Sequence, residues 1–215
     1  MHLKNNCGLL TYEKVTYSRK SAFLSDRVAE LIMKKTKGLI IMSNTFLELA
    51  KERYSVRKFR EQQIEQEKLE KILEAGNVAP TAVNYQPQRI YVLQSEEALT
   101  KVRSLCPCTY GAPTVLLIAY DDNQDWDNPK QPGIHSGEQD VSIVATHMML
   151  EAWSLGVASC WVNLFPNNEL ERAFDLPENE KTVLIMPLGY AADDAKPMEK
   201  WHFGYKKIEE TVTVL

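Results

Sequence analysis

Arg53-Tyr54-Ser55-Val56-Arg57-Lys58-Phe59 breaks a helical pattern with two arginines four residues apart and a serine between them. A guanidinium is a planar, permanently charged fork that suits phosphate and other oxyanions. At strand periodicity residues 53, 55 and 57 share one face, so Ser55 adds a small donor and acceptor beside the two forks. Such a row suits an elongated anionic ligand, and taken alone it equally suits a solvated basic patch. Its meaning depends on what the rest of the chain supplies.

The 215 residues are enough for one sizeable core. Hydrophobic residues make up 44% and charged residues 25%, an ordinary globular balance. A net charge of −4 argues against a nucleic-acid surface. No apolar run approaches the ~20 residues of a membrane span. The four cysteines, at 7, 106, 108 and 160, form no C-x-x-C pair. Cys106-Pro107-Cys108 alone cannot make a four-ligand zinc site. Scattered cysteines suit a reducing compartment, hence a cytoplasmic protein with buried thiols.

Residues 1–41 differ from the remainder. They carry eight Lys or Arg against three acids, a charge of +5, which leaves −9 for the rest. Residues 21–32 could form a short helix, but no apolar signal core precedes it. This segment is expected to be an extension outside the native chain or disordered, with translation starting at Met42. Lys37-Gly38 would be encoded by a purine-rich stretch where a bacterial ribosome-binding sequence would sit.

From Met42, Ser43 or Asn44 is the expected N-cap of a short amphipathic helix ending near Glu52. A second helix is expected over residues 66–77, with Leu69, Ile72, Leu73 and Gly76 on one side. Ala79-Pro80-Thr81-Ala82-Val83-Asn84-Tyr85-Gln86-Pro87 is bracketed by prolines and reads as non-helical. Its Thr81, Asn84 and Gln86 can hydrogen-bond a heteroaromatic edge or a polyol, or satisfy their own turn. Residues 89–93 read as a strand and 96–104 as a helix. The near-continuous apolar run at 114–120 reads as a buried strand.

Residues 121–136 form an acidic connection that is long for a compact domain, so a functional loop is expected. Its acids lack the glycine and terminal glutamate of an EF-hand. Residues 137–155 are the longest helical stretch and apolar over more than one face, which points to deep burial or a dimer interface. His147 within it reads as a satisfied core histidine. Strands are expected at 158–162 and 181–186, a turn at 163–166 and a helix at 168–174. The tail from Ala191 is polar. Its last five residues look extended and need a sheet edge or a partner.

No G-x-G, P-loop, H-E-x-x-H or G-x-S-x-G occurs, and the four histidines have no ligand spacing. Catalysis by such a chain would draw its hard chemistry from a bound cofactor.

Four stretches, in order, resemble the small FMN-dependent nitroreductase family. They are the Arg53–Phe59 and Ala79–Pro87 stretches quoted above, Leu155-Gly156-Val157-Ala158-Ser159-Cys160-Trp161-Val162, and Met186-Pro187-Leu188-Gly189-Tyr190. The resemblance runs from Met42 to the C-terminus. It implies an α+β fold with a central, mainly antiparallel sheet flanked by helices, in an intertwined homodimer with FMN at the subunit interface. By similarity Arg53, Ser55 and Arg57, with Tyr54, would line the phosphate, ribityl chain and pyrimidine edge. Thr81, Asn84 and Gln86, with Pro80, would reach the flavin from the other subunit. Asn163 and Leu164 would offer backbone groups near flavin N5, and Lys206 or Lys207 would meet the phosphate. Tyr205 stands where many relatives carry another basic residue.

The activity implied is NAD(P)H oxidoreduction by ping-pong hydride transfer to nitroaromatic, quinone or related acceptors, with no catalytic side chain assigned. A flavin store or sensor without turnover is the alternative, and reductive dehalogenation a third reading.

Overall fold

The apolar run at residues 114–120 becomes the central strand of a four-stranded sheet in a computed structural model that describes residues 45–215. The strands are β1 (Gln88–Leu93), β2 (Thr114–Asp121), β3 (Ala158–Ser159) and β4 (Glu180–Gly189). They are ordered β1-β2-β4-β3, and every neighbouring pair is antiparallel. The helices are α1 (Phe46–Glu52), α2 (Gln66–Asn77), α3 (Glu96–Leu105), α4 (Gly137–Ser154), α5 (Asn167–Ala173) and α6 (Glu199–His202). This is the expected α+β architecture. The readings made for residues 1–44, including the Met42 start and the helix at 21–32, lie outside the described residues.

Both faces of β2 are covered, which is why its sequence has no polar alternation. Leu116 and Ile118 join Ile72 of α2 and Val141, Val144 and Met148 of α4 in one buried cluster. Val115, Leu117 and Ala119 join Leu99 and Val102 of α3 and Leu170 of α5 in the other. Each fully buried Leu or Ile contributes roughly 1.5–3 kcal/mol, so β2 anchors two half-cores at once.

At the helix starts the structure corrects the sequence. Thr45, not Ser43 or Asn44, caps α1: its side chain accepts from the Glu48 amide while Glu48 reaches back to the Thr45 amide. The Ala79–Pro87 stretch contains a short 3₁₀ turn over Ala82–Asn84. His147 is partly exposed on α4 and not in the core; its Nδ1 contacts the Ile143 carbonyl at 2.9 Å.

The strands need correction too. β4 runs through Pro187 to Gly189 instead of stopping at Met186. β3 is two residues long, and Val162 rejoins the sheet only as an isolated bridge to Ile185. The last five residues find no sheet edge; Val214 and Leu215 are fully exposed. Among the described residues no helix is long and apolar enough to cross a membrane.

Candidate functional site

After α1 the chain leaves the helix at Arg53, whose backbone is already extended (φ −63°, ψ 132°). Residues 53–60 are then laid against the sheet. The Val56 amide donates to the Ser159 carbonyl at 3.0 Å, Phe59 bridges Ala191, and the Arg60 amide donates to the Tyr190 carbonyl at 2.8 Å. Val56 is wholly buried, so its neighbours Ser55 and Arg57 are held in fixed positions at the surface. Arg53, Tyr54, Ser55 and Arg57 line one half-open pocket. Met198, Trp201 and His202 wall it from the C-terminal side.

Arg57 stacks its guanidinium over Trp201, 5.4 Å from the ring centroid, and its Nη1 donates to the Ser55 carbonyl at 3.1 Å. Tyr54 packs edge-on against Trp153 and His202, with centroids 5.3 and 6.0 Å away. Two guanidiniums facing one pocket make it attractive to an anion.

Buried titratable groups lie near this pocket. Burial first, then Cys108, pushes the pKa of the Tyr110 phenol up to about 12. Cys160 lies beside Ser55 and Arg57; burial raises its thiol while the Arg57 charge opposes the rise. Burial also raises Cys106, whose Sγ donates to the Leu164 carbonyl at 3.3 Å. The expectation of buried thiols holds for Cys106 and Cys160, whereas Cys108 is partly exposed.

Leu164 shares its turn with Asn163. Asn163 spends its side chain on the fold. Its Nδ2 donates to the Val183 carbonyl at 2.7 Å and its Oδ1 accepts from Trp161 Nε1 at 2.5 Å. Val183 is the extra residue of a bulge, because the β2–β4 register shifts between Ile118 and Ala119. Leu164 is exposed.

Pro80, Thr81, Asn84 and Gln86 sit together on a separate surface turn and do not border the arginine pocket. Lys206 and Lys207 are exposed in the tail and do not border it either. Met198, Trp201, His202 and Tyr110 were missed from sequence. The aromatic run Trp201-His202-Phe203 inside a polar tail was the available signal. Among the described residues no group of His, Cys, Asp and Glu could hold a metal ion.

The profile of the Nitroreductase family matches residues 50–110 and 104–190. The chain belongs to that family. A nitroreductase family protein of Clostridium difficile is 37% identical, with a TM-score of 0.74 over 79% of this chain and 97% of that one. A Methanothermobacter thermautotrophicus protein named as an NADH dehydrogenase/NAD(P)H nitroreductase is 30% identical over 72% of this chain and 87% of its own length. A structure of an Exiguobacterium sibiricum protein, named as a nitroreductase in complex with FMN, shares the fold at 20% identity. Its TM-score is 0.69, over 80% of this chain and 98% of that one. The family match takes in Arg53–Arg57, the Pro80–Gln86 turn and Asn163-Leu164, and stops before the Met198–His202 wall.

Proposed function

We propose that the chain is an FMN-dependent NAD(P)H oxidoreductase that passes hydride to nitroaromatic, quinone or related acceptors. The observation that carries this is the pocket where Arg53 and Arg57 meet Ser55. Its donor set fits FMN: two forks and a hydroxyl for a phosphate, a ribityl chain and an electron-rich pyrimidine edge. FMN, when bound, supplies the acceptance and return of the hydride.

The chain's own residues do the rest. Arg57, fixed by Trp201 and the Ser55 carbonyl, would hold positive charge where the reduced ring gathers negative charge. Tyr54 would wall the site, and the Asn163-Leu164 backbone would face the reacting edge, since the Asn163 side chain is committed to the bulge. Lys206 or Lys207 would meet the phosphate from the tail.

Pro80, Thr81, Asn84 and Gln86 would serve the flavin of a second copy, which makes the unit a homodimer. Exposed Phe46 and Leu47 on α1, and Phe203 and Tyr205 in the tail, supply apolar surface for such an interface. With no separate nicotinamide fold, NAD(P)H and the acceptor would use one pocket in turn, giving ping-pong kinetics. A cytoplasmic setting, with its reduced nicotinamide pool and reduced thiols, suits this reading.

The test is an anaerobic titration of the purified protein with NADH and with NADPH. Bleaching of a yellow protein by either is expected. A protein that binds FMN and stays oxidised would be a store or sensor, and a colourless protein that refuses FMN would remove the reading.

A further inference from the structure

The turn at residues 80–86 carries more backbone strain than any other described segment of this length. Val83, Asn84 and Gln86 all lie in the left-handed region, at φ 54°, 59° and 52°. Asparagine tolerates this conformation, but a β-branched valine does not, and such residues cost on the order of 1–3 kcal/mol each. Strain of this size persists only where the surroundings over-determine the geometry. Three hydrogen bonds close the turn on itself: the Asn84 amide donates to the Thr81 carbonyl, the Tyr85 amide to the Ala82 carbonyl, and the Gln86 amide to Thr81 Oγ1. Towards the rest of the molecule, Gln86 Nε2 reaches the Asn77 carbonyl at 3.4 Å on an exposed side.

The buried tether comes from Asp140, 3% exposed in the opening residues of α4. Its Oδ1 accepts the Ala82 amide at 2.8 Å. Its Oδ2 accepts the Ser136 hydroxyl at 2.8 Å, and Ser136 Oγ in turn accepts the Trp126 amide at 3.1 Å. No Lys or Arg pairs with Asp140 among the described residues. A buried carboxylate without a cation is expensive to keep. A carboxylate nevertheless has a property that its amide lacks: both oxygens accept, so it can hold two donors on opposite sides.

We infer that Asp140 is a positioning residue that fixes the strained turn in place and ties it, through Ser136, to the Trp126 loop. The proposal rests on the FMN reading for its functional half. Under that reading the turn offers Thr81, Asn84 and Gln86 to the flavin, and the 121–136 loop, expected from its length and composition to be functional, would border the acceptor. One buried carboxylate then sets the spacing between a cofactor-facing and a substrate-facing segment. Asparagine at 140 has one acceptor oxygen for two donors and no charge to strengthen either bond, so its hold on the Ala82 amide weakens while its NH₂ faces Ser136. The Ser136 hydroxyl would have to turn and accept, and its link from Trp126 would weaken.

The experiment compares the parent with Asp140→Asn and Ser136→Ala by amide hydrogen exchange without flavin, by FMN titration, and by steady-state kinetics with a quinone. Asp140→Asn is expected to speed exchange at Ala82 and Trp126 about tenfold and to weaken FMN binding about tenfold. Ser136→Ala is expected to speed exchange at Trp126 alone, to keep FMN affinity within twofold, and to raise the quinone KM with kcat held. A purely structural role would not produce that split.

Ala82 exchange within twofold of the parent in Asp140→Asn overturns the anchoring. Faster Ala82 exchange with FMN affinity unchanged overturns the positioning role. A parent that binds no FMN sinks the functional reading alone, and the exchange arm still decides the anchoring. If Asp140→Asn does not fold, unchanged Trp126 exchange in Ser136→Ala overturns the link.

Discussion

At the scale of single residues, the chemistry that could be read in advance was carried by side chains whose charge is unconditional. Arg57 is the clearest case. It spends one donor on the Ser55 carbonyl and one ring face on Trp201, which leaves the rest of its fork for a ligand. Hydrogen bonds to charged groups are worth about 1.5–3 kcal/mol. Arg57→Ala is therefore expected to weaken FMN binding roughly tenfold to a hundredfold, or to lower the flavin potential. Flavin content and potential equal to the parent's would refute the role. A second prediction concerns His135, whose Nδ1 faces Asp125 Oδ1 at 3.1 Å. That hydrogen bond and the Asp125 charge raise its pKa above the ordinary 6.5. A raised folded-state pKa means that the ion pair's contribution is complete below pH 6.5. It is lost as pH climbs through the folded value. A proton NMR titration should place the His135 ring above 6.5, and Asp125→Asn should return it towards that value; a parent midpoint at 6.5 would remove the pair. His147 and Asn163 were not readable in this way. Their partners, the Ile143 and Val183 carbonyls, are backbone groups that only the folded chain brings into range.

At the scale of elements, β2 and α2 were legible because burial leaves a periodic or unbroken apolar trace. The β3–β4 pairing was not, and Pro187 explains why. In an antiparallel strand the N–H and C=O of a residue face the same neighbour. Pro187 accepts the Cys160 amide at 3.3 Å but has no N–H to return, so the ladder lapses on the β3 side alone. From sequence the proline looked like a strand end; in the fold it shortens its neighbour. The same close packing makes a test at the start of α4. A methyl group at Gly137 would lie 2.2 Å from Tyr120 Cδ2, with two more ring atoms within 2.7 Å. The ring is half-buried beneath the helix and cannot yield without moving it. Gly137→Ala is expected to cost about 1–3 kcal/mol. For a chain of this size that lowers the thermal midpoint by roughly 2–4 °C per kcal/mol. An unchanged midpoint in thermal and urea unfolding would show that Tyr120 swings aside freely.

At the scale of the whole molecule, the two groups of residues assigned to one cofactor occupy two different surfaces of one chain. Arg53–Arg57 line the pocket walled by Trp201 and His202, whereas Thr81–Gln86 form a turn that does not border it. Large apolar side chains stand exposed next to the first group. Leu47 of α1 is 60% exposed, and it shares an open apolar groove with Phe203 and Tyr205 of the tail. Contiguous apolar surface of this kind marks an association site in a chain that otherwise buries its core. A specific interface buries about 1,200–2,000 Å² and draws its energy from a few aromatic anchors near the centre. In the homodimer proposed above Phe203 would be such an anchor, and a charge in its place would leave a carboxylate desolvated against the partner. Sedimentation equilibrium of the 24.6 kDa chain is therefore expected to give twice the monomer mass, and Phe203→Asp the monomer mass. The informative quantity is what happens to the flavin at the same time. If each flavin needs Arg57 from one copy and the Thr81–Gln86 turn from the other, dissociation must release FMN, and the loss must follow protein concentration with the same midpoint as the mass. A Phe203→Asp monomer that holds FMN as tightly as the parent would mean that one copy makes the whole site, and that the turn serves something else.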